Sequence, residues 1–170
     1  MEQGTLIIFS GLPGSGKSTL SQGLSRRIGA SYVRIDTVEQ GLKDIRKMSK
    51  VEGEGYRLSY KIVRDNLICG HTVIADSVNP IELTRREWNN VAQEVGAHYH
   101  NIEIVCTDLD QHRMRLESRG KTPGIRQPTW EDVQNREFEP WDGSQITIDT
   151  AGKTVDQSLE ELMTALKAAI

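Results

Sequence analysis

Leu6–Phe9 is an unbroken apolar run, Leu-Ile-Ile-Phe, followed by a serine and a glycine. Such a run reads as a strand covered on both faces. From Lys17 to Ile28 the period changes: Leu20, Leu24 and Ile28 recur every four residues, which predicts a helix. A second strand is predicted over Ser-Tyr-Val-Arg-Ile-Asp, ending at Asp36. Two polar helical segments follow, Val38–Lys50 and Gly55–Gly70, joined by Val-Glu-Gly-Glu-Gly.

Thr72–Asp76 predicts a third strand. Asn79, Pro80 and Glu82 then read as N-cap, first and third positions of a helix running to about Val95. His98–Cys106 predicts a fourth strand, and Asp108 caps the next helix, with Gln111 reaching back and an end near Arg119-Gly120. After a Gly-, Pro- and cation-rich loop, Thr129 caps a short helix to about Glu139. Gln-Ile-Thr-Ile-Asp predicts a fifth strand. Thr154 opens a last helix, with Val155, Leu159, Leu162 and Leu166 on one face. Alternating strands and helices predict an α/β fold: about five parallel strands with helices on both faces.

Composition changes this picture little. The 170 residues suit one domain, with 36% hydrophobic and 26% charged residues. The net charge of −3 supplies no basic surplus for nucleic acid or membrane. Cys69 and Cys106 read as reduced thiols, and no basic segment precedes the first apolar run, so a cytoplasmic protein without a signal peptide is expected.

The chemistry is concentrated between the first strand and the first helix. Gly11-Leu12-Pro13-Gly14-Ser15-Gly16-Lys17-Ser18 matches the phosphate-binding pattern G-x-x-x-x-G-K-[ST] in the required strand-to-helix context. Glycines let backbone N–H groups converge on one hollow, and the helix dipole adds positive potential. Lys17 brings a full charge to the β/γ-phosphates, the Ser18 hydroxyl suits Mg²⁺, and Thr19 suits the α-phosphate. A nucleoside triphosphate is therefore the expected ligand, ATP and GTP being equally compatible.

Asp36 and Asp76 close the second and third strands, where open parallel sheets bind ligands. One would serve Mg²⁺ and the other would take a proton from an attacking hydroxyl; Asp36 could equally be a helix cap. Arg113, Arg115, Arg119 and Arg126 are candidate cations over a transferring phosphoryl group, although Glu117 could pair with such a helix face. His98 and His100 share a strand face without a third metal ligand. Trp130 and Trp141 are expected to pack. Tyr56, Arg57 and Tyr60 either line an acceptor pocket or form an ordinary amphipathic helix.

The blocks "GLPGSGKST", "RID", "VIADSVNP", "VCTDLDQHRMRLESR" and "PTWEDVQNREFEPWD" ahead of "ITIDTAGKTVDQS" resemble small P-loop kinases of the AAA_33 type over nearly the whole chain. That group is similar to the kinase domain of phage polynucleotide kinase, chloramphenicol phosphotransferase, zeta toxins and gluconate kinase. The resemblance implies a three-layer nucleotide-kinase-like sandwich with a helical lid at about 113–139 and an acceptor-side insert at about 37–71. It implies Asp36 as general base, Asp76 near Mg²⁺ with Ser18, and Arg115 and Arg119 as lid arginines. It also sets Arg119 and the loop Thr150-Ala151-Gly152 near the base.

The implied activity is ATP- and Mg²⁺-dependent transfer of the γ-phosphoryl group to a hydroxyl of a small molecule. The competing readings are a nucleotide-binding ATPase or regulatory module without an acceptor, and a toxin-like or nucleic-acid-end kinase. Glu39 stands where polynucleotide kinases carry an arginine that grips the acceptor phosphate. Against that, Arg34, Lys43, Arg46, Lys47 and Lys50 could form a local basic patch.

Overall fold

The computed structural model describes residues 3–46, 53–120 and 127–169. The element order is β1 (Thr5–Ser10), α1 (Lys17–Ile28), β2 (Ser31–Arg34), α2 (Ile35–Arg46), α3 (Glu54–Ile68), β3 (Thr72–Asp76), α4 (Glu82–Glu94), β4 (His98–Val105), α5 (Leu109–Glu117), α6 (Trp130–Gln134), β5 (Ile146–Asp149) and α7 (Val155–Ala168). The five strands form one sheet in the order β2-β3-β1-β4-β5, and every pairing is parallel.

Alternation along the central strand explains its unbroken apolar run. Ile7 and Phe9 pack with Leu20 and Leu24 of α1 and with Leu159, Leu162 and Leu166 of α7. Leu6 and Ile8 point the other way, into Val63 and Leu67 of α3 and Trp88, Val91 and Ala92 of α4. Both faces of β1 are therefore core, and each fully buried side chain of this size contributes about 1.5–3 kcal/mol. No helix among the described residues is long and apolar enough to cross a membrane.

Four local expectations change. Strand β2 stops at Arg34, so Asp36 lies in the first turn of α2, where a carboxylate meets the positive end of the helix. Helix α4 starts at Glu82 with Ile81 as N-cap, not at Asn79. Asn79 adopts a left-handed φ of 47°, and its buried amide donates to the Phe9 carbonyl at 3.4 Å. The first-turn donor of α4 is satisfied from far away, the Glu82 N–H donating to the Glu139 carboxylate.

Helix α6 ends at Gln134 rather than near Glu139. Beyond it the chain is held by Arg85, whose guanidinium donates to the carbonyls of Asn79, Pro80, Glu139 and Pro140 and lies 4.1 Å from the Trp141 ring centre. Finally, Val155 is 49% exposed, so it leaves the buried face that Leu159, Leu162 and Leu166 share.

Candidate active site

The loop between β1 and α1 is shaped by contacts that exclude side chains. Gly11 has φ 144°, and a Cβ there would fall 2.4 Å from the Ile104 carbonyl oxygen, so β4 backbone runs directly against the loop. Gly16, at φ 98°, is the N-cap of α1 and offers no side-chain cap. No acid occupies the first turn of α1. By contrast, α5 and α7 are capped by the Asp108 and Thr154 side chains. The positive end of α1 is thus left to whatever enters the loop.

Asp76 lies at the end of β3, directly beside Phe9 of β1 and Arg34 of β2. Its carboxylate is buried and forms an ion pair with Lys17. Its other oxygen accepts from the Tyr32 hydroxyl at 2.5 Å. Burial alone would push the Asp76 carboxyl up. The Lys17 charge and the hydrogen bonds from Lys17, Tyr32 and Ser18 together outweigh it and hold the carboxyl below the usual aspartate value. Burial, and then the charge of Asp76, push the Tyr32 phenol up to about 12, so it stays a donor.

Asp36 has a different setting. It is exposed on the cleft and pairs with Arg34 at 2.9 Å. It lines a cavity of about 730 Å³ together with Glu39, Lys43, Tyr56, Ser77, Arg119 and Arg136. A second cavity of about 330 Å³ is lined by Gly14, Gly16, Thr19, Arg115, Thr150 and Val155. Arg119 lines both, so it stands where the two chambers meet. Partial desolvation, and then the neighbouring charge of Arg34, lower its pKa from the ordinary arginine value.

The candidate arginines separate. Arg113 pairs with Glu117 at 2.8 Å on the solvent face. Arg115 donates to the Thr150 hydroxyl at 2.8 Å and to the Thr150 carbonyl at 3.1 Å. Thr150 in turn donates to the Ser15 carbonyl at 2.8 Å, which ties α5 to the glycine loop. Arg119 has no hydrogen-bond or ion-pair partner among the described residues. Arg126, Lys47 and Lys50 lie outside the described residues.

Ala151 and Gly152 follow Thr150 at the edge of the smaller cavity without lining it. Gln111 does not reach back to its own helix start; its side-chain oxygen accepts from the Gly152 N–H at 3.1 Å. Tyr56 lines the larger cavity, whereas Tyr60 packs edge-on against Trp88 and Arg57 is exposed. Trp130 and Trp141 pack, against His112 and Arg85 respectively.

His112 was not singled out by the sequence reading. It is buried, and its Nε2–H donates to the Pro13 carbonyl at 2.9 Å, holding the crown of the loop from α5. A histidine inside a charged helix gives no sequence signal of this role. Cys106 is buried and Cys69 exposed, both as free thiols. Among the described residues no group of His, Cys, Asp or Glu forms a protein metal cluster.

The family model for the AAA_33 AAA domain matches residues 6–140. The L-seryl-tRNA(Sec) kinase of Methanococcus maripaludis is 28% identical over 156 residues, covering 87% of this chain and 60% of that protein. The Mycobacterium tuberculosis APS kinase CysC in complex with AMPPNP and APS superposes with a TM-score of 0.75 at 18% identity, over 98% of this chain and 99% of that one. A gluconokinase from Sinorhizobium meliloti 1021 superposes with a TM-score of 0.70 at 12% identity, over 99% and 95%. A phosphate loop between β1 and α1, a parallel sheet in this order and a family match across most of its length make this chain a member of the AAA_33 family of small P-loop kinases.

Proposed function

We propose that the protein is an ATP- and Mg²⁺-dependent kinase that transfers the γ-phosphoryl group to a hydroxyl of a small-molecule acceptor. The observation that carries this reading is the pair of chambers meeting at Arg119, one bounded by the glycine loop and the other by Asp36. In this reading residues at about 37–71 form the acceptor side, and about 113–139 form a lid over a single domain.

The smaller chamber takes the nucleotide, with Thr150, Ala151 and Gly152 bordering the base. Backbone N–H groups of Gly14 and of Gly16 to Thr19, with the Lys17 ammonium, hold the phosphates. The acceptor hydroxyl oxygen attacks the γ-phosphorus, the bond to the β–γ bridging oxygen breaks, and ADP leaves with that electron pair. The hydroxyl proton passes to Asp36. Asp36 suits the base because it faces the cavity, whereas both oxygens of Asp76 are already engaged. Arg119, uncommitted among the described residues, neutralises charge on the moving group. Arg115 fixes the wall of the nucleotide chamber through Thr150.

Mg²⁺ would be held by the Ser18 hydroxyl, with the Asp76 carboxylate, whose oxygens Lys17 and Tyr32 engage, serving the ion's water shell. Hydroxyl and carboxylate are both hard oxygen donors, and Asp76 is kept ionised, which fits this metal. Bound there, it would neutralise phosphate charge. The test is Asp36→Asn, assayed with labelled ATP against a metabolite pool. The expected result is unchanged ATP affinity and a ~10²–10⁴-fold loss of transfer. Transfer at the wild-type rate would remove Asp36 from this role. ATP breakdown with no labelled product in the wild type would favour an ATPase module instead.

A further inference from the structure

The larger chamber carries a charge pattern that goes beyond the need to bind any alcohol. Three of its charged groups are committed within the protein. Arg34 and Asp36 pair with each other at 2.9 Å, and Asp132 accepts from the Thr129 N–H at 2.8 Å in the capping box of α6. Arg119 is shared with the nucleotide chamber. Glu39, Lys43 and Arg136 remain, and none of their side chains has a hydrogen-bond or ion-pair partner among the described residues. These three uncommitted groups put two cations and one anion on the chamber wall, in a chain whose net charge is −3. A cationic wall against the overall sign of the chain selects for ligand charge.

The anion is built in. Residue 55 is glycine, and a Cβ there would fall 2.3 Å from Glu39 Cγ. The start of α3 is notched so that the Glu39 stem lies flat against it while the residue still lines the chamber. Burial, and then Asp36, push the Glu39 carboxyl up, while Lys43 and Arg136 pull it back, as expected of groups that share one space.

We infer that the acceptor is an alcohol bearing one anionic group, carboxylate or phosphate, which Lys43 and Arg136 hold while Glu39 accepts from a neighbouring hydroxyl. This rests on the kinase reading above. With its anion held by Lys43 and Arg136, the acceptor presents its reacting hydroxyl to Asp36, which lines the same chamber. A volume of about 730 Å³ accommodates a small polyhydroxy acid.

The test uses the full chain with ATP and Mg²⁺ and acceptors matched in size. The three-carbon set is D-glycerate, glycerol 3-phosphate, glycerol and 2-amino-1,3-propanediol. The six-carbon set is D-gluconate, glucose 6-phosphate, D-glucitol and D-glucosamine. The expected result is kcat/KM at least 10-fold higher for an acid than for its neutral and amino counterparts, with the glycerate and glycerol 3-phosphate arms separating carboxylate from phosphate. The Lys43→Ala/Arg136→Ala variant should raise KM for the acid at least 10-fold and erase the preference, leaving AMPPNP affinity unchanged. Each single variant should give a smaller increase, which covers a double variant that folds poorly.

Equal or better transfer to a neutral or amino compound overturns the charge assignment and leaves the kinase reading standing. So does a double variant whose KM for the acid stays at the wild-type value. No transfer to any acid in either set also overturns it, and the kinase reading is then judged separately, by whether the labelled metabolite pool yields a product.

Discussion

On the glycine-loop side of Arg119 the cleft wall is mostly glycine and short side chains, Gly14, Gly16, Thr19, Thr150 and Thr154 among them. On the Asp36 side it carries charged side chains, Asp36, Glu39, Lys43 and Arg136, brought in from α2 and from the segment after α6. The glycine-loop part of the first wall is fixed by local geometry, because a positive-φ glycine and an uncapped helix start can be arranged in only a few ways. The second depends on which distant segments pack together. A backbone seat suits a ligand common to many proteins, and a side-chain wall suits one that differs between them.

The sharpest way to break this comparison is at Lys17, which belongs to the seat but is held by a side chain. Lys17→Ala should lower kcat by roughly 10³-fold or more, since a well-placed cation on a transferring phosphoryl group contributes on that scale. It also leaves Asp76 buried without its cation, which should cost about 3–5 kcal/mol of stability. Turnover assays and denaturant melts read the two effects separately. A variant with wild-type kcat would mean that the glycine loop does not hold the reacting phosphate.

The acceptor wall breaks at a residue that touches neither chamber. Arg85 is buried and spans Asn79, Pro80, Glu139 and Pro140, joining the start of α4 to the chain beyond α6. Arg85→Ala removes this donor from the Asn79, Glu139 and Pro140 carbonyls, while Pro80 keeps the Glu139 N–H, and it leaves the Trp141 ring without its cation, a loss of about 3 kcal/mol. The expected outcome is a lower melting temperature and a weaker acceptor KM with nucleotide affinity retained. Equal losses at both sites would mean that the two walls are one mechanical unit.

The same contrast governs what could be read from the sequence. Strand β1 and the glycine loop were legible, and helix α1 was predicted with its observed bounds, because their signals lie within a few neighbouring residues. Asp76 was correctly set at the end of β3 for the same reason. The start of α4 was misread because Asn79 turns its amide inward to Phe9, and Glu139, 57 residues away, supplies the acceptor for Glu82 N–H. The α6 boundary failed because Arg85, not helix propensity, holds the chain after Gln134. Arg115 looked equivalent to Arg119 on the helix, and only the tertiary contact with Thr150 distinguishes them.

The smallest expected effect tests how the nucleotide side keeps its carboxylate charged. Tyr32→Phe removes the hydrogen bond from its hydroxyl to Asp76, together with the hydroxyl's lesser interactions with Ser21 and Gln22. A bond to a charged group is worth about 1.5–3 kcal/mol, so the variant should be less stable by that amount near neutral pH. The gap has a defined pH window. Asp76 sits below the ordinary value of 3.8, so its contribution is present above that value and is lost as the pH falls through the folded one. Tyr32 is raised from 10.0 to about 12, so its contribution is present below 10 and is lost as the pH rises toward 12. The difference between wild type and variant should form a plateau from about pH 4 to 10 and narrow at both ends. Denaturant melts of both proteins across that range measure it. A gap that stays constant at low pH would mean that Tyr32 contributes by packing alone, and that Lys17 by itself keeps Asp76 ionised.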